Sequence, residues 1–444
     1  MRRCKSLWRS GIFLGALGAF LAASAAAAPP GDARSPLHAN ADRMQARIEA
    51  LSQYGLNEDG GSDRVAFSEH DLAARKFFAG LMRDAGLEVR IDTAGNLIGR
   101  RAGRYDERPP IMFGSHLDTV PNGGAYDGVV GSVGALEVME LLNEHAIVTD
   151  HPLQMIVFTD EEGGLTGSRA FIGDLGEEAL DVVSHSGKTI REGIRYLGGD
   201  PARLDEAAHE KGDVKAFLEL HIEQGGTLDD RDIDIGVVEG IVGIEWWEVV
   251  IEGFANHAGT TPMHGRRDAV LAGARFALAV NEVVTAEEGA QVGTVGKFIA
   301  EPGAPNVIPG RAVLSLELRD LSSGKIQRLF AQIQERAAAI AEDTGTKISL
   351  RHLDVAAVPA LTDERIQAII AAQAEALGYS YLHLPSGAGH DAQDMARIAP
   401  TGMIFVPSRG GISHAPSEFT SAGDMAQGAS VLAESILAID QARL

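Results

Sequence analysis

At 444 residues with a formal net charge of −23, the chain is long enough for two domains and too acidic to seek nucleic acid or an anionic lipid surface. Its single cysteine, Cys4, lies in the first few residues. Disulfide and thiolate chemistry are thereby excluded from the body of the chain, and any metal must be held by His, Asp and Glu.

Residues 1–28 place Arg2, Arg3, Lys5 and Arg9 before an apolar Ala/Leu/Gly segment that ends in A-A-A-A-P-P. This is the pattern of a secretory signal peptide cut near Ala28, and it predicts a periplasmic or secreted protein without membrane contact after cleavage. A membrane anchor is the alternative, and the short apolar core disfavours it. The Arg2-Arg3 pair leaves general and twin-arginine export both open. Helical periodicity covers 40–86, interrupted by the turn Y-G-L-N-E-D-G-G-S-D-R, and strand-like E-V-R-I-D and N-L-I-G-R follow. Buried strands are expected at 111–113, 153–159 and 216–220, with a Gly/Ala-rich helix over 128–144 and short helices in the polar stretch 177–213. This alternation predicts an α/β sheet with helices on its faces. Near residue 240 the character changes. Strand 244–251, helix 268–284, strand 292–299, strand 312–318, helix 323–342 and strand 347–353 make the β-α-β-β-α-β order of a ferredoxin-like unit. The expected fold is therefore α/β in two domains. A catalytic sheet domain comes from 36–240 and 355–444, and the ferredoxin-like unit, 241–354, is inserted into it.

The strand at 111–113 runs into a Gly-rich loop that carries His116, Asp118 and Asp127. Imidazole and carboxylate suit divalent metals, and loops at the carboxyl ends of buried strands are where open α/β sheets place their sites. Asp118, two residues past His116, is placed to hold the free ring nitrogen of a metal-bound imidazole. A turn with solvated acids is the bland reading. The next strand ends in D-E-E-G-G, with Glu161 and Glu162. Adjacent carboxylates point apart, so one can bind metal while the other holds water, and their repulsion calls for a cation nearby. An exposed charged loop accounts for the pair equally well. Strand 216–220 runs into H-I-E-Q-G, with His221 and Gln224, and strand 403–406 leads to S-H-A-P-S-E, with His414 and Glu418. One loop histidine is ordinarily a surface residue; four strand ends each delivering His, Asp or Glu are a different matter. Together His116, Asp127, Glu162, His221 and His414 offer enough ligands for two divalent ions about 3.5–4 Å apart that share one carboxylate. Zinc, manganese, cobalt and nickel all accept such ligands.

The segments G-S-H-L-D-T, Y-D-G, D-E-E-G, H-I-E-Q-G, H-A-G-T-T-P-M, P-N-V-I-P-G and S-H-A-P-S-E resemble, in sequence and in order, the metal-dependent amidase branch of the M20 peptidase superfamily. The resemblance runs from about residue 43 to the end. That branch contains N-carbamoyl-L-amino acid hydrolases, β-ureidopropionases, and allantoate and ureidoglycolate amidohydrolases. It implies a binuclear hydrolase of linear amide or ureido C–N bonds in small carboxylate substrates. One metal would take His116 and His221, the second Glu162 and His414, with Asp127 bridging and Glu161 as general base and acid. The resemblance also implies a homodimer built through the inserted domain, whose His257 reaches the neighbouring site to steady the oxyanion. Asn306 and Arg319 match positions that hold the substrate carboxylate, and Gln224 matches one near the ureido group. For His257 a satisfied turn histidine is the alternative, and for Arg319 an ion pair with Glu317 or Asp320.

A histidine at 221, where peptidase relatives usually carry a carboxylate, speaks for the amidase branch over a dipeptidase, and an M20-type aminoacylase or dipeptidase stays the alternative. Retention of Glu161 speaks against a non-catalytic periplasmic binding protein on the same scaffold. One segment departs from the family pattern. After E-E-G the chain runs straight toward G-S-R-A-F without the usual R-F pair, which bears on the pocket wall beside the second metal. His390 and Asp391 are expected to shape the pocket floor, and Trp246 and Trp247 to pack or to meet an interface.

Overall fold

The computed structural model describes residues 34–444, so the signal-like segment at 1–28 lies outside the described residues. Helices α1 (Ala41–Ser52) and α2 (Glu69–Asp84) lead into strands β1 (Glu88–Ile91), β2 (Leu97–Arg101) and β3 (Ile111–Ser115). Next come α3 (Val129–Glu144), β4 (Leu153–Val157), α4 (Glu161–Gly164), α5 (Thr166–Phe171), α6 (Ile190–Tyr196), β5 (Ala216–Ile222), α7 (Thr227–Arg231) and β6 (Ile235–Ile241). The inserted stretch builds β7 (Gly243–Glu252), β8 (Asn256–His257), α8 (Ala269–Ala286), β9 (Val292–Thr294) and β10 (Phe298–Glu301). It continues through β11 (Val307–Ile308), β12 (Arg311–Asp320), α9 (Ser323–Thr344) and β13 (Lys347–Ala357). The chain returns through β14 (Ala360–Leu361), α10 (Glu364–Leu377), β15 (Tyr381–Ser386), α11 (Asp391–Met395), β16 (Thr401–Val406) and α12 (Ala422–Gln441).

Strand β3 pairs in parallel with β4 and β5, and β5 with β16, so these four strands end at the same edge of the sheet. Antiparallel β2 and β1 extend one side; β6, with β14 and β15, extends the other. Every residue of β5 is buried, as a strand covered on both faces requires. Helices α1, α3, α10 and α12 cover one face through Met44, Leu136, Ile370 and Leu432, among others. On the other face Phe158, Phe171, Phe217 and Met403 form a second apolar layer. Helix α3 approaches β5 closely, and a Cβ on Gly131 would lie 2.1 Å from the Leu220 carbonyl oxygen, so a larger residue there would push the helix off. That approach sets the amino end of α3, and Asp127 just ahead of it, beside His221.

The inserted unit has its own antiparallel sheet in the order β10-β12-β7-β13, the order of a βαββαβ unit, with β9 also pairing β12. Helices α8 and α9 cover one of its faces with Phe276, Val280, Leu329 and Ile333 against Trp247, Val249, Leu314 and Leu316. The single strand expected over 292–299 is two. Strand β9 pairs Thr294 with Glu317, whereas β10 pairs Phe298 with Leu314, so one extra residue sits on this side of the ladder. The Lys297 N–H is turned to Ser315 Oγ at 3.0 Å at this bulge.

Candidate active site

Four strand ends deliver the predicted ligands to one place. His116 follows β3, Glu161 and Glu162 open α4 just after β4, His221 stands near the end of β5, and His414 lies in the loop after β16. Asp127 is the hub. Its Oδ1 lies 3.1 Å from His221 Nε2 and 3.7 Å from His116 Nε2, and its Oδ2 lies 3.1 Å from His414 Nε2. Glu162 Oε2 approaches His414 Nε2 to 3.6 Å. The donor atoms thus fall into two groups, His116 with Asp127 and His221, and Asp127 with Glu162 and His414, which meet at Asp127. Glu161 is in neither group; its Oε2 stands 3.8 Å from His116 Nε2. Asp127, Glu161, Glu162, His221, Gln224 and His414, with Leu165, line a cavity of about 200 Å³. Leu165, between α4 and α5, contributes to its wall.

The donor set fits divalent cations. Glu162 Oε1 is buried without a hydrogen-bond partner among the described residues, and buried His221 Nε2 faces the Asp127 carboxylate, whereas buried polar atoms ordinarily have a partner. Burial, then repulsion from Glu162, pushes the Glu161 carboxyl well above its usual range, and burial with the Asp127 charge pushes Glu162 up to about 8. Burial also pushes Asp127 upward, but the His221 and His414 imidazoles beside it outweigh that and hold its carboxyl well below the usual range. Burial lowers His116 to about 4, which keeps its ring in the neutral form that ligates metal. Bound positive charge relieves crowded acids of this kind.

Local structure aims the ligands. His116 Nδ1 meets the Asp118 carbonyl oxygen at 3.0 Å and His221 Nδ1 meets that of Ile222 at 2.9 Å, so both rings present Nε2 to the site. The Asp118 carboxylate, 3.8 Å from His116 Nδ1, instead accepts from the backbone N–H groups of Glu161 at 3.4 Å and Glu162 at 3.2 Å. Asp118 therefore supports two ligand loops with different oxygens. Gln224 donates from Nε2 to Asp127 Oδ2 at 2.8 Å. Leu165, Gln224 and His414, which line the cavity, have φ between 55° and 59°, a region uncommon for non-glycine residues.

Gly128 adjoins Asp127 with φ +65°, and a Cβ there would lie 2.3 Å from the His116 ring. Gly128→Ala is expected to displace His116 and to weaken metal binding about tenfold or more, the scale of a disturbed ligand support. Titration of the metal-free variant with a divalent ion checks this; unchanged affinity would mean that the ring yields without cost.

Three residues support the site: Glu418, which the sequence notes without a role, and Glu219 and Arg64, which it does not single out. Glu418 accepts from the N–H groups of Tyr126 at 2.9 Å and Asp127 at 3.0 Å and from Ser413 Oγ at 2.9 Å, tying the Asp127 loop to the His414 loop. Glu219, buried two residues before His221, accepts from Ser115 Oγ at 2.7 Å and the Ala392 N–H at 3.0 Å. Arg64 is fully buried and donates to the carbonyls of Leu117 at 2.6 Å, Leu51 at 2.9 Å and Tyr54 at 3.1 Å, clamping the His116 loop to the end of α1. His390 packs edge-on against His221 with ring centroids 4.5 Å apart and lines the cavity, while Asp391 is buried behind it.

The inserted unit presents its candidates separately. His257 and Asn306 sit together on the β8–β11 ribbon, where the Ala258 N–H donates to the Asn306 carbonyl at 3.0 Å. Both are exposed, and neither makes a hydrogen bond or ion pair with the ligand residues among the described residues. His257 Nδ1 accepts from the backbone N–H groups of Gly259 at 3.0 Å and Thr260 at 3.2 Å, which leaves Nε2 to carry the ring hydrogen. Arg319 pairs with Glu317 and donates from Nη1 to the Gly387 carbonyl at 2.7 Å, beside the cavity loop; Asp320 pairs with Lys325 instead. Trp247 is buried and stacks on Phe330, whereas Trp246 is partly exposed.

Known proteins resemble this chain in sequence and in fold. The model of Peptidase family M20/M25/M40 matches residues 112–438. N-carbamoyl-L-amino acid amidohydrolase of Geobacillus stearothermophilus is 40% identical over 405 residues, 90% of this chain and 98% of that protein. Ureidoglycolate hydrolase of Arabidopsis thaliana is 38% identical over 410 residues, 90% of this chain and 86% of that protein. The crystal structure of a hydantoinase/carbamoylase family amidase from Burkholderia multivorans superimposes with a TM-score of 0.86 at 33% identity, covering 92% of this chain and all of that one. Motif order, strand-end ligands and these likenesses agree, and the chain belongs to peptidase family M20/M25/M40.

Proposed function

We propose that the protein is a binuclear metal-dependent amidohydrolase that cleaves a linear amide or ureido C–N bond in a small carboxylate substrate, an N-carbamoyl-L-amino acid in the first instance. The observation that carries this reading is the pair of donor groups sharing Asp127, with a histidine, His221, in the first of them. Relatives named for N-carbamoyl-L-amino acids, ureidoglycolate and allantoate support the substrate class. His116 and His221 would hold one ion and Glu162 and His414 the other, with zinc, manganese, cobalt or nickel as candidates. When bound, the ions supply Lewis acidity that activates water and polarises the scissile carbonyl.

The chain's own groups account for the protons. Glu161 takes one as water adds to the carbonyl carbon and delivers it to the nitrogen as the C–N bond breaks. His257 of a partner subunit offers its Nε2–H to the developing oxyanion. Gln224, Asn306 and Arg319 bind the ureido group and the carboxylate, the last by the fork geometry that suits guanidinium. Turnover of N-carbamoyl, N-acyl, allantoate and dipeptide substrates, each assayed with each metal, tests the reading. Hydrolysis of dipeptides alone would move it to a peptidase, and turnover of none would favour a binding protein.

A homodimer through the inserted unit accompanies this reading. Leu271 and Leu278 on α8 and Phe298 and Ile299 on the edge strand β10 are exposed, apolar groups of the kind a second copy would cover. A His257→Ala subunit and a Glu161→Gln subunit, each nearly inactive alone, are then expected to recover roughly a quarter of wild-type activity after random exchange. No recovery despite demonstrated exchange would place His257 outside a shared site. The basic and apolar leader at 1–28 further marks the enzyme, in this proposal, for export to the periplasm or medium.

A further inference from the structure

Strand β12 alternates. Leu314, Leu316 and Leu318 face α8 and α9, so Ser315, Glu317 and Arg319 lie on the sheet's open side. There Glu317 Oε1 accepts from Arg319 Nε at 2.9 Å and its Oε2 from Nη2 at 3.2 Å. Trp246, opposite Glu317 in the ladder, donates its indole N–H to the same Oε2 at 2.5 Å. The far end of the guanidinium reaches Gly387, whose neighbours Ala388 and Gly389 line the cavity of the metal ligands.

This geometry divides the guanidinium. Arginine has five N–H groups. Glu317 occupies the side edge formed by Nε and Nη2, and Gly387 takes one hydrogen of Nη1, so one N–H on each terminal nitrogen has no partner among the described residues. Those two are the donors a carboxylate can take together. A free arginine at this place would have to freeze its long side chain at every binding event. Glu317, itself held by Trp246, has done so beforehand.

We infer that Glu317, buttressed by Trp246, is the positioning residue that holds Arg319 ready for the substrate carboxylate and thereby sets the demand for a carboxylate. The inference rests on the assignment of Arg319 to that carboxylate in the proposed function. It differs from simple competition, in which Glu317 would mask Arg319 and its removal would tighten binding.

The test is steady-state kinetics of the metal-loaded enzyme on its carboxylate substrate, with the primary amide of that substrate as a second substrate or competitor. Glu317→Ala is expected to raise KM for the carboxylate about tenfold or more, approaching Arg319→Ala, while kcat changes far less. Glu317→Gln keeps one acceptor oxygen, enough for Arg319 Nε or for Trp246 but not for both, and should give a smaller rise than Glu317→Ala, as should Trp246→Phe, which removes the N–H with part of the ring. Binding of the amide should hardly move in these variants. Should Glu317→Ala fail to fold, Glu317→Gln and Trp246→Phe carry the test. An unchanged or lower KM in the Glu317 variants, with Arg319→Ala impaired, overturns the positioning role and leaves the Arg319 assignment standing. An unimpaired Arg319→Ala overturns both. An equal loss for acid and amide shows a merely structural role and overturns the inference as well.

Discussion

Exhaustive chelation is expected to abolish turnover, and a divalent ion to restore it. The five proposed ligands lie at or beyond the carboxyl ends of four different strands, and they converge on Asp127, whose two oxygens approach three imidazoles. Among the described residues, the His221 and His414 imidazoles offset only part of the acids' charge. Glu162 Oε1 has no hydrogen-bond partner among the described residues, and repulsion among Glu161, Glu162 and Asp127 adds to the burial that pushes both glutamates upward. A metal-free site should also lack the Lewis acid on which hydrolysis of so unreactive a bond depends, a deficit of several kcal/mol, or on the order of 10³-fold and more. Activity should be followed against the number of ions returned. Recovery complete at two ions per chain supports the shared-carboxylate site, recovery complete at one reduces it to a mononuclear centre, and full activity in verified metal-free protein would sink the metal reading altogether.

The ligands were legible because each lies in or just after an apolar run that reads as a buried strand, and because parallel strands bring their carboxyl ends to one edge. Supporting residues were less so. Glu219 sits inside the buried strand F-L-E-L-H-I, where only its two-residue spacing from His221 hints that both face the same way. Arg64 follows a Gly-rich turn with no local pattern, and its role depends on three carbonyls brought together by tertiary folding. For Asp118 the sequence gives the neighbour but not the oxygen. The turn hands His116 the carbonyl and sends the carboxylate to the start of α4. Strand β6 went unread because Gly236 and Gly240 break its apolar run and its partners, β15 and β16, lie far along the chain. The two-residue strands β8 and β11 are too short for any periodicity, yet their pairing is what places His257 beside Asn306. For Arg319 the sequence posed a choice between a substrate carboxylate and an ion pair; the side-edge contact with Glu317 makes the two compatible.

Glu161→Gln and Glu162→Gln are expected to fail in different ways, although the residues are adjacent. Glu162 belongs to the donor group of His414 and Asp127, with its Oε2 3.6 Å from His414 Nε2, whereas Glu161 belongs to neither group. Glu161 nevertheless borders the cavity, where a water molecule and the leaving nitrogen would both be within its reach. Its amide variant should keep both metals and bind substrate, because no ligand is lost. Turnover should fall by about 10²- to 10⁴-fold, the range typical of a missing general base. Glu162→Gln removes a charged ligand, so metal content and activity should fall together, and excess metal should rescue part of both. Metal analysis of the two purified variants beside their kinetics separates the roles. If Glu161→Gln loses an ion while Glu162→Gln retains both, base and ligand are exchanged, because the amide at 161 would then have cost the site a metal and the carboxylate at 162 would be free to move the proton.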